Sequence, residues 1–239
     1  MGHRPGVDSL EIKGLMMSFI DYPGNICVTI FTGRCNYRCP FCQNATLVLS
    51  PEKLETISLE KALAEIQKRK RLIDGITITG GEPLMNGDLP TLIEPVKKMG
   101  LLVKLDTNGA YPEELEVLIG KNLLDYVAMD IKSSQDKYSN ACGVKVDLDA
   151  VNRSAKLLLS SKIDYEFRTT AVPGLVEKED MEKIGQWLEG AKNYYLQQFI
   201  PGESLSEEYR RKDPHPPERL AEFAKIAERY FLNVGVRGL

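Results

Sequence analysis

The chain has 239 residues, with 31 lysines and arginines against 34 aspartates and glutamates, for a formal net charge of −3. A slightly acidic chain has no basic field to hold a nucleic-acid backbone, which argues against a nucleic-acid partner. No apolar run reaches the roughly 20 residues of a membrane span, and the first residues lack the apolar core of a secretory signal. With 43% hydrophobic residues, the expectation is a cytoplasmic protein with its own core and no membrane partner. Five cysteines in such a chain suit metal or redox chemistry better than a disulfide framework.

Residues 1–9, with Gly2, Pro5 and Gly6, read as a loose lead-in. Residues 10–20 and 25–32 predict an edge hairpin around the turn Asp21-Tyr22-Pro23-Gly24. Strands and helices then alternate. Ser58 is placed to cap a helix carrying Leu59, Ala62, Leu63 and Ile66 on one face. A strand over 75–79 leads into Gly80-Gly81-Glu82-Pro83. Asp88 opens a helix with Leu89, Leu92, Ile93 and Val96 in phase, ended by Gly100. A strand over 101–105 precedes Asp106-Thr107-Asn108-Gly109, and a helix over 112–119 stops at Gly120.

A strand over 126–129 is followed by Asp130-Ile131-Lys132, and Asp147 caps a helix burying Val151, Ala155 and Leu158. Tyr165 to Thr169 is a strand with Arg168 near its end. Met181, Ile184 and Leu188 mark a helix, and 195–199 a strand. Residues 202–217 read as a polar crossing loop. An amphipathic face of Leu220, Phe223, Ala224, Ala227 and Phe231 follows, then a short strand over 234–236.

Six strand-then-helix units imply a parallel sheet with helices packed outside, either an incomplete β/α barrel or an open doubly wound sheet. In both, functional groups gather at the carboxyl ends of the strands, where all these polar motifs fall.

Three of the cysteines, Cys35, Cys39 and Cys42, sit within eight residues after the strand over 25–32. Three thiolates on one loop can converge on one inorganic centre, and an odd number cannot all pair as disulfides. Iron–sulfur clusters are usually held by four cysteines; three leave a position for an exogenous ligand, as catalytic metal sites do. A zinc site needs a fourth protein ligand. Cys27 is inside a strand, Cys142 is remote, and His3 and His215 are both far from the cluster in sequence. A ferredoxin-type carrier lacks the closing cysteine. The plain alternative is three unligated thiols.

The spacing Cys35-x3-Cys39-x2-Cys42, with Phe41 before the last cysteine, resembles the signature of the radical S-adenosylmethionine (radical SAM) superfamily. Gly80-Gly81-Glu82-Pro83 resembles its GGE motif. Phe31-Thr32-Gly33-Arg34-Cys35, Asn44, Asp106-Thr107-Asn108-Gly109 and Asp130-Ile131-Lys132 are similar to the glycyl-radical-enzyme activating proteins. The stretch from Ser18 to Gly24 and the ending Val236-Arg237-Gly238 look most like the activating proteins of anaerobic ribonucleoside-triphosphate reductase.

The resemblance implies an α/β fold, a partial (β/α)6 TIM-like barrel of the radical SAM type with a C-terminal helix extension. It implies one radical SAM domain over 1–239: lead-in and hairpin 1–24, barrel core 25–200, C-terminal extension 201–239. It further implies a [4Fe-4S] cluster on Cys35, Cys39 and Cys42, with S-adenosyl-L-methionine (SAM) chelating the remaining iron through its amino and carboxylate groups. Reductive cleavage of SAM would yield a 5′-deoxyadenosyl radical that takes a hydrogen from a glycine of a partner enzyme.

In that scheme Gly80, Gly81 and Glu82 receive the methionine ammonium. Asp106, Asn108, Asp130 and Lys132 receive polar SAM groups, Arg168 contacts SAM, and Phe41 packs near adenine. Each has a structural alternative: a tight turn at Gly80-Gly81, a helix-capping turn at Asp106 to Gly109, and a rim ion pair for Asp130 and Lys132. Arg168 equally suits a carboxylate partner, and Phe41 the core under the loop. Cys27 reads as a core thiol, Cys142 as a loop thiol, Trp187 as helix packing and His215 as a surface residue. The implied partners are a glycyl-radical enzyme, first the anaerobic reductase, and a flavodoxin- or ferredoxin-type electron donor. The alternatives are an activase of another such enzyme, for example pyruvate formate-lyase; a radical SAM enzyme acting on a small molecule; and a zinc-stabilised binding protein.

Overall fold

A computed structural model describes residues 10–239. The loose lead-in expected over 1–9, with His3, lies outside the described residues. The chain falls into two compact units, one comprising residues up to Asn36, Thr46–Thr107 and Tyr111–Val127, the other Tyr37–Ala45, Asn108–Ala110 and Ala128–Leu239.

In the first unit, β1 (Ile12–Tyr22) and β2 (Asn25–Thr32) form the expected antiparallel hairpin. Gly24 takes the positive φ, +73°, that its turn requires. The Ser18 hydroxyl accepts from the backbone N–H of Asp21 at 3.1 Å, where the pairing register shifts. β2 runs parallel to β3 (Gly75–Gly80), and β3 to β4 (Leu102–Thr107). The short α1 (Ala45–Leu49) follows the cysteine stretch in sequence.

Helix α2 (Leu59–Arg69) starts at Ser58, whose hydroxyl accepts from Lys61 N–H at 3.2 Å. Helix α3 (Leu89–Lys98) buries Leu89, Leu92, Ile93 and Val96, the four residues in phase. Helix α4 (Pro112–Gly120) contains Gly120 as its last residue instead of stopping before it. The left-handed residue that turns the chain is Asn122, with φ of +53°, a conformation its short polar side chain tolerates. β5 (Tyr126–Asp130) gives Tyr126 and Val127 to the first unit and its last three residues to the second.

In the second unit, α5 (Tyr138–Cys142) ends at Gly143, which takes φ of +65° as a left-handed cap. Asp147 caps α6 (Leu148–Ser160), accepting from the N–H groups of Asp149 and Ala150. Strands β6 (Asp164–Ala171), β7 (Asn193–Gln198) and β8 (Asn233–Arg237) pair in parallel in that order. Between them lie α7 (Lys178–Trp187), α8 (Glu207–Arg210) and α9 (Pro217–Ala227). Leu220, Phe223, Ile226 and Ala227 form the buried face of α9. Phe231 follows the helix and stacks on Tyr194 with ring centroids 4.5 Å apart.

Two expectations are corrected here. His215 is buried, its Nε2 lying 3.0 Å from the Val176 carbonyl oxygen and its ring edge-on to Phe223. The prolines around it only set the path that folds it inward. Cys142 is a fully buried helix-end residue, not a loop thiol. Cys27 is a core thiol as expected, accepting from the Thr77 hydroxyl at 3.5 Å. Among the described residues no helix is long and apolar enough to cross a membrane.

Candidate functional site

In the first unit, the end of β2 delivers Arg34 and Cys35. Arg34 adopts φ of +63°, rare outside glycine. Its N–H donates to the Leu47 carbonyl at 2.8 Å, and its guanidinium pairs with Glu11 at 2.9 Å. The Gly80-Gly81-Glu82 turn docks on this bend. Gly81 N–H donates to Thr32 O at 2.9 Å and Glu82 N–H to Arg34 O at 2.8 Å. A Cβ on Gly81 would lie 1.7 Å from the Arg34 carbonyl oxygen, and one on Gly80, at φ of +116°, 2.5 Å from Thr32 N. The backbone that these glycines admit is the chain's own, at Thr32 and Arg34, three residues and one residue before the first clustered cysteine.

Glu82 is buried, and one carboxylate oxygen accepts from Leu84 N–H at 3.1 Å and from the Thr107 hydroxyl at 2.7 Å. It thus caps its own turn and ties it to the end of β4. On β4, Asp106 pairs with Lys104 two residues earlier on the same face. Cys35 is half-buried, its thiol 3.9 Å from Asn36 Oδ1.

In the second unit, Cys39 is buried and Cys42 half-buried. Cys42 N–H donates to Cys39 O at 3.0 Å, closing a tight turn through Pro40 and Phe41. Three other backbone bonds seat it: Arg38 N–H to Cys142 O at 2.8 Å, Ser206 N–H to Pro40 O at 2.9 Å and Leu205 N–H to Cys42 O at 3.0 Å. The segment expected as a polar crossing loop is therefore a strap over the cysteine turn, with α8 beyond it. Phe41 is buried against Tyr209, ring centroids 6.5 Å apart.

Asp130 and Lys132 leave β5 as an ion pair at 2.9 Å, and Arg168 joins Asp130 at 2.8 Å. The backbone is tied in the same place, with Ile131 N–H donating to Arg168 O at 2.7 Å. Burial works to raise the Asp130 pKa, but the Arg168 and Lys132 charges overcome it and hold the carboxyl well below its usual range. Burial opposes the Lys132 charge, yet Asp130 and then Cys39 hold its pKa well above that of an ordinary lysine. The Cys39 thiol is pulled down chiefly by a hydrogen bond from Cys142, against burial, with help from Lys132. Burial pushes Cys42 up. Lys132 and Arg168 thus hold one carboxylate between them, and both are donors of the kind that binds carboxylates.

Asn108 Oδ1 accepts from Ala110 N–H at 3.0 Å, a turn of the side chain onto its own backbone. The sequence candidates are thus gathered in groups: Glu82 with Thr107, the glycine pair with the Arg34 bend, Asp130 with Lys132 and Arg168, and Cys39 with Cys42. Asp106 and Asn108 are engaged locally. None of the five cysteines is in a disulfide, and among the described residues no group of three or more His, Cys, Asp or Glu is disposed to hold a single metal ion.

Three features escaped the sequence. They are the contact of Cys142 with Cys39, the Leu205-Ser206 strap, and a bidentate pair between Glu166 and Arg237. Only the last left a signal: a charged residue in each of two strands, Glu166 in β6 and Arg237 in β8.

A model of the radical SAM superfamily matches residues 29–188. A protein of Methanocaldococcus jannaschii, provisionally named a glycyl-radical enzyme activating enzyme, is 36% identical over 233 residues, 95% of each chain. The pyruvate formate-lyase-activating enzyme of Staphylococcus aureus is 27% identical over 251 residues, 96% of this chain and 94% of that one. Among solved structures, Streptococcus suis SuiB bound to S-adenosylmethionine superposes with a TM-score of 0.65 at 14% identity, over 86% of this chain and 48% of that one, a likeness of fold.

Proposed function

We infer the function from one premise: this chain belongs to the radical SAM superfamily. It has the α/β, TIM-like barrel type of fold found there and is an enzyme of radical chemistry that depends on an iron–sulfur cluster and SAM. We propose that it is an activase that installs a glycyl radical on a partner enzyme, first the anaerobic ribonucleoside-triphosphate reductase. The observation that carries the reading is the second unit's pairing of a strapped cysteine turn with the Lys132–Asp130–Arg168 ion-pair network.

The residues fit the cofactors. Cys35, Cys39 and Cys42 are all outside disulfides, and backbone bonds seat the turn of the last two without using their sulfurs. Each thiolate of a cubane binds a different iron, so the set need not surround a single ion. These three would hold a [4Fe-4S] cluster. When bound, the cluster and SAM would supply reductive cleavage of the sulfonium C–S bond and the 5′-deoxyadenosyl radical.

Lys132 presents a point charge to the SAM carboxylate while Asp130 keeps it and Arg168 in place. Gly80, Gly81 and Glu82 present backbone and carboxylate to the ammonium, Asp106 and Asn108 serve other polar groups, and Phe41 flanks the adenine. The electron donor is of flavodoxin or ferredoxin type, and clustered cysteines outside disulfides suit a reducing cytoplasm.

The relative named for pyruvate formate-lyase activation supports a second reading with that partner. The test is anaerobic reconstitution, reduction and addition of SAM with each candidate enzyme. The expected result is 5′-deoxyadenosine together with a glycyl electron paramagnetic resonance (EPR) doublet on the reductase. A doublet on pyruvate formate-lyase alone moves the partner. 5′-Deoxyadenosine without a doublet on either protein points to a small-molecule substrate. Zinc in place of iron sinks the reading.

A further inference from the structure

The cysteine turn rests on a residue outside the Cys35-x3-Cys39-x2-Cys42 spacing. Arg38 N–H donates to the Cys142 carbonyl at 2.8 Å, so the residue before Cys39 is joined to Cys142 through the main chain. The approach is built in. Gly143 follows Cys142 at φ of +65°, and a Cβ there would lie 2.2 Å from the Arg38 carbonyl oxygen. Only glycine lets α5 end so close to the cysteine turn. Cys142 is fully buried and Cys39 nearly so. A buried thiol is an ordinary small hydrophobe unless a second sulfur stands beside it, and here the Cys142 side chain stands against that of Cys39.

We propose that Cys142 is a positioning residue for the iron–sulfur centre, donating its S–H to the sulfur of Cys39 and thereby setting the reduction potential of the cluster. The proposal rests on the cluster assignment made above. Its physical basis is that hydrogen bonds to ligand sulfurs stabilise the more negative, reduced state and so raise the potential. The fully buried position excludes water from replacing the lost donor.

The experiment compares wild type, C142A and C142S, each reconstituted anaerobically, for iron content, melting temperature and the midpoint potential of the cluster. Cys142→Ala should keep the iron and lower the potential. The expected shift is about three- to tenfold in the ratio of reduced to oxidised cluster at fixed potential, the upper end being about 59 mV for one electron. Cys142→Ser retains a donor and should restore most of the shift. Should C142A lose its fold, wild type and C142S exchanged into D2O carry the test. A deuteron coupled to the reduced cluster is expected in both, with different strengths.

Equal potentials in all three proteins, or no exchangeable coupling, overturn the proposal while 5′-deoxyadenosine formation leaves the cluster assignment standing. A folded C142A that loses its iron overturns it differently, by making Cys142 a ligand. Wild-type protein that takes up no iron removes the assignment and the proposal together.

Discussion

Both guanidinium nitrogens of Arg237 reach the fully buried carboxylate of Glu166, at 2.7 and 2.8 Å, while the same guanidinium lies 3.6 Å over the ring of Tyr195. The last strand is thus bolted to β6 on the face that also carries Arg168 two residues on. Removing Arg237 leaves a buried carboxylate without its main cation. Breaking a buried pair costs about 3–5 kcal/mol; Arg237 is about one-third exposed, so R237A is expected to cost about 2–3 kcal/mol. R237K keeps the charge but loses the fork and the flat stacking, and should cost about 1 kcal/mol. Urea denaturation checks both, and equal losses would contradict the geometry.

Gly81 and Gly100 make an internal comparison. Cβ of an alanine at Gly81 would meet the Arg34 carbonyl oxygen at 1.7 Å, whereas Gly100, at φ of +78°, has nothing within 4 Å. G100A should cost only the left-handed penalty, about 1–2 kcal/mol. G81A forces the Arg34 bend away and should cost about 3 kcal/mol or more. It should also reduce the iron bound per chain, which G100A should not. Denaturation midpoints and iron analysis of the two variants decide it.

The cluster ligands separate from the core thiol. C35A, C39A and C42A are each expected to bring bound iron close to zero after reconstitution. C27A removes a sulfur that meets only the Thr77 and Thr29 hydroxyls in the core, and it should load iron as wild type does. Iron retention by any of the first three variants counts against that residue as a ligand.

Asp180 gives a pH dependence. Burial works to raise its pKa, but hydrogen bonds from Lys137 and Ser134, both 2.7 Å away, and from Glu177 N–H at 2.9 Å hold it below the ordinary value. A carboxyl depressed in the folded state adds stability that is complete above the unfolded pKa, about 3.9. That stability is lost as pH falls through the lower folded value. D180N should therefore be less stable than wild type by about 1–3 kcal/mol at pH 7. The gap should hold down to about pH 4 and close below it. Urea midpoints of the two proteins from pH 7 to about 2.5 measure it, and a gap that widens in acid would refute the sign.

The order of strands and helices was legible from the amino acids because it rests on short-range patterns. The β-branched run over 25–32, the phased Leu89, Leu92, Ile93 and Val96, and the caps at Ser58 and Asp147 are each local in the chain. The cysteine spacing and the GGEP turn were legible for the same reason, and with them the kind of chemistry. What tertiary structure alone decided were partnerships between distant residues. Arg237 finds Glu166 across 71 positions, and Cys142 arrives under Cys39 because Gly143 lets one backbone pass against another. Ser206 ties down Pro40 from a stretch whose prolines read only as loop. His215 and Cys142 were misplaced because burial is a property of what packs over a residue, and local periodicity records only the element the residue belongs to.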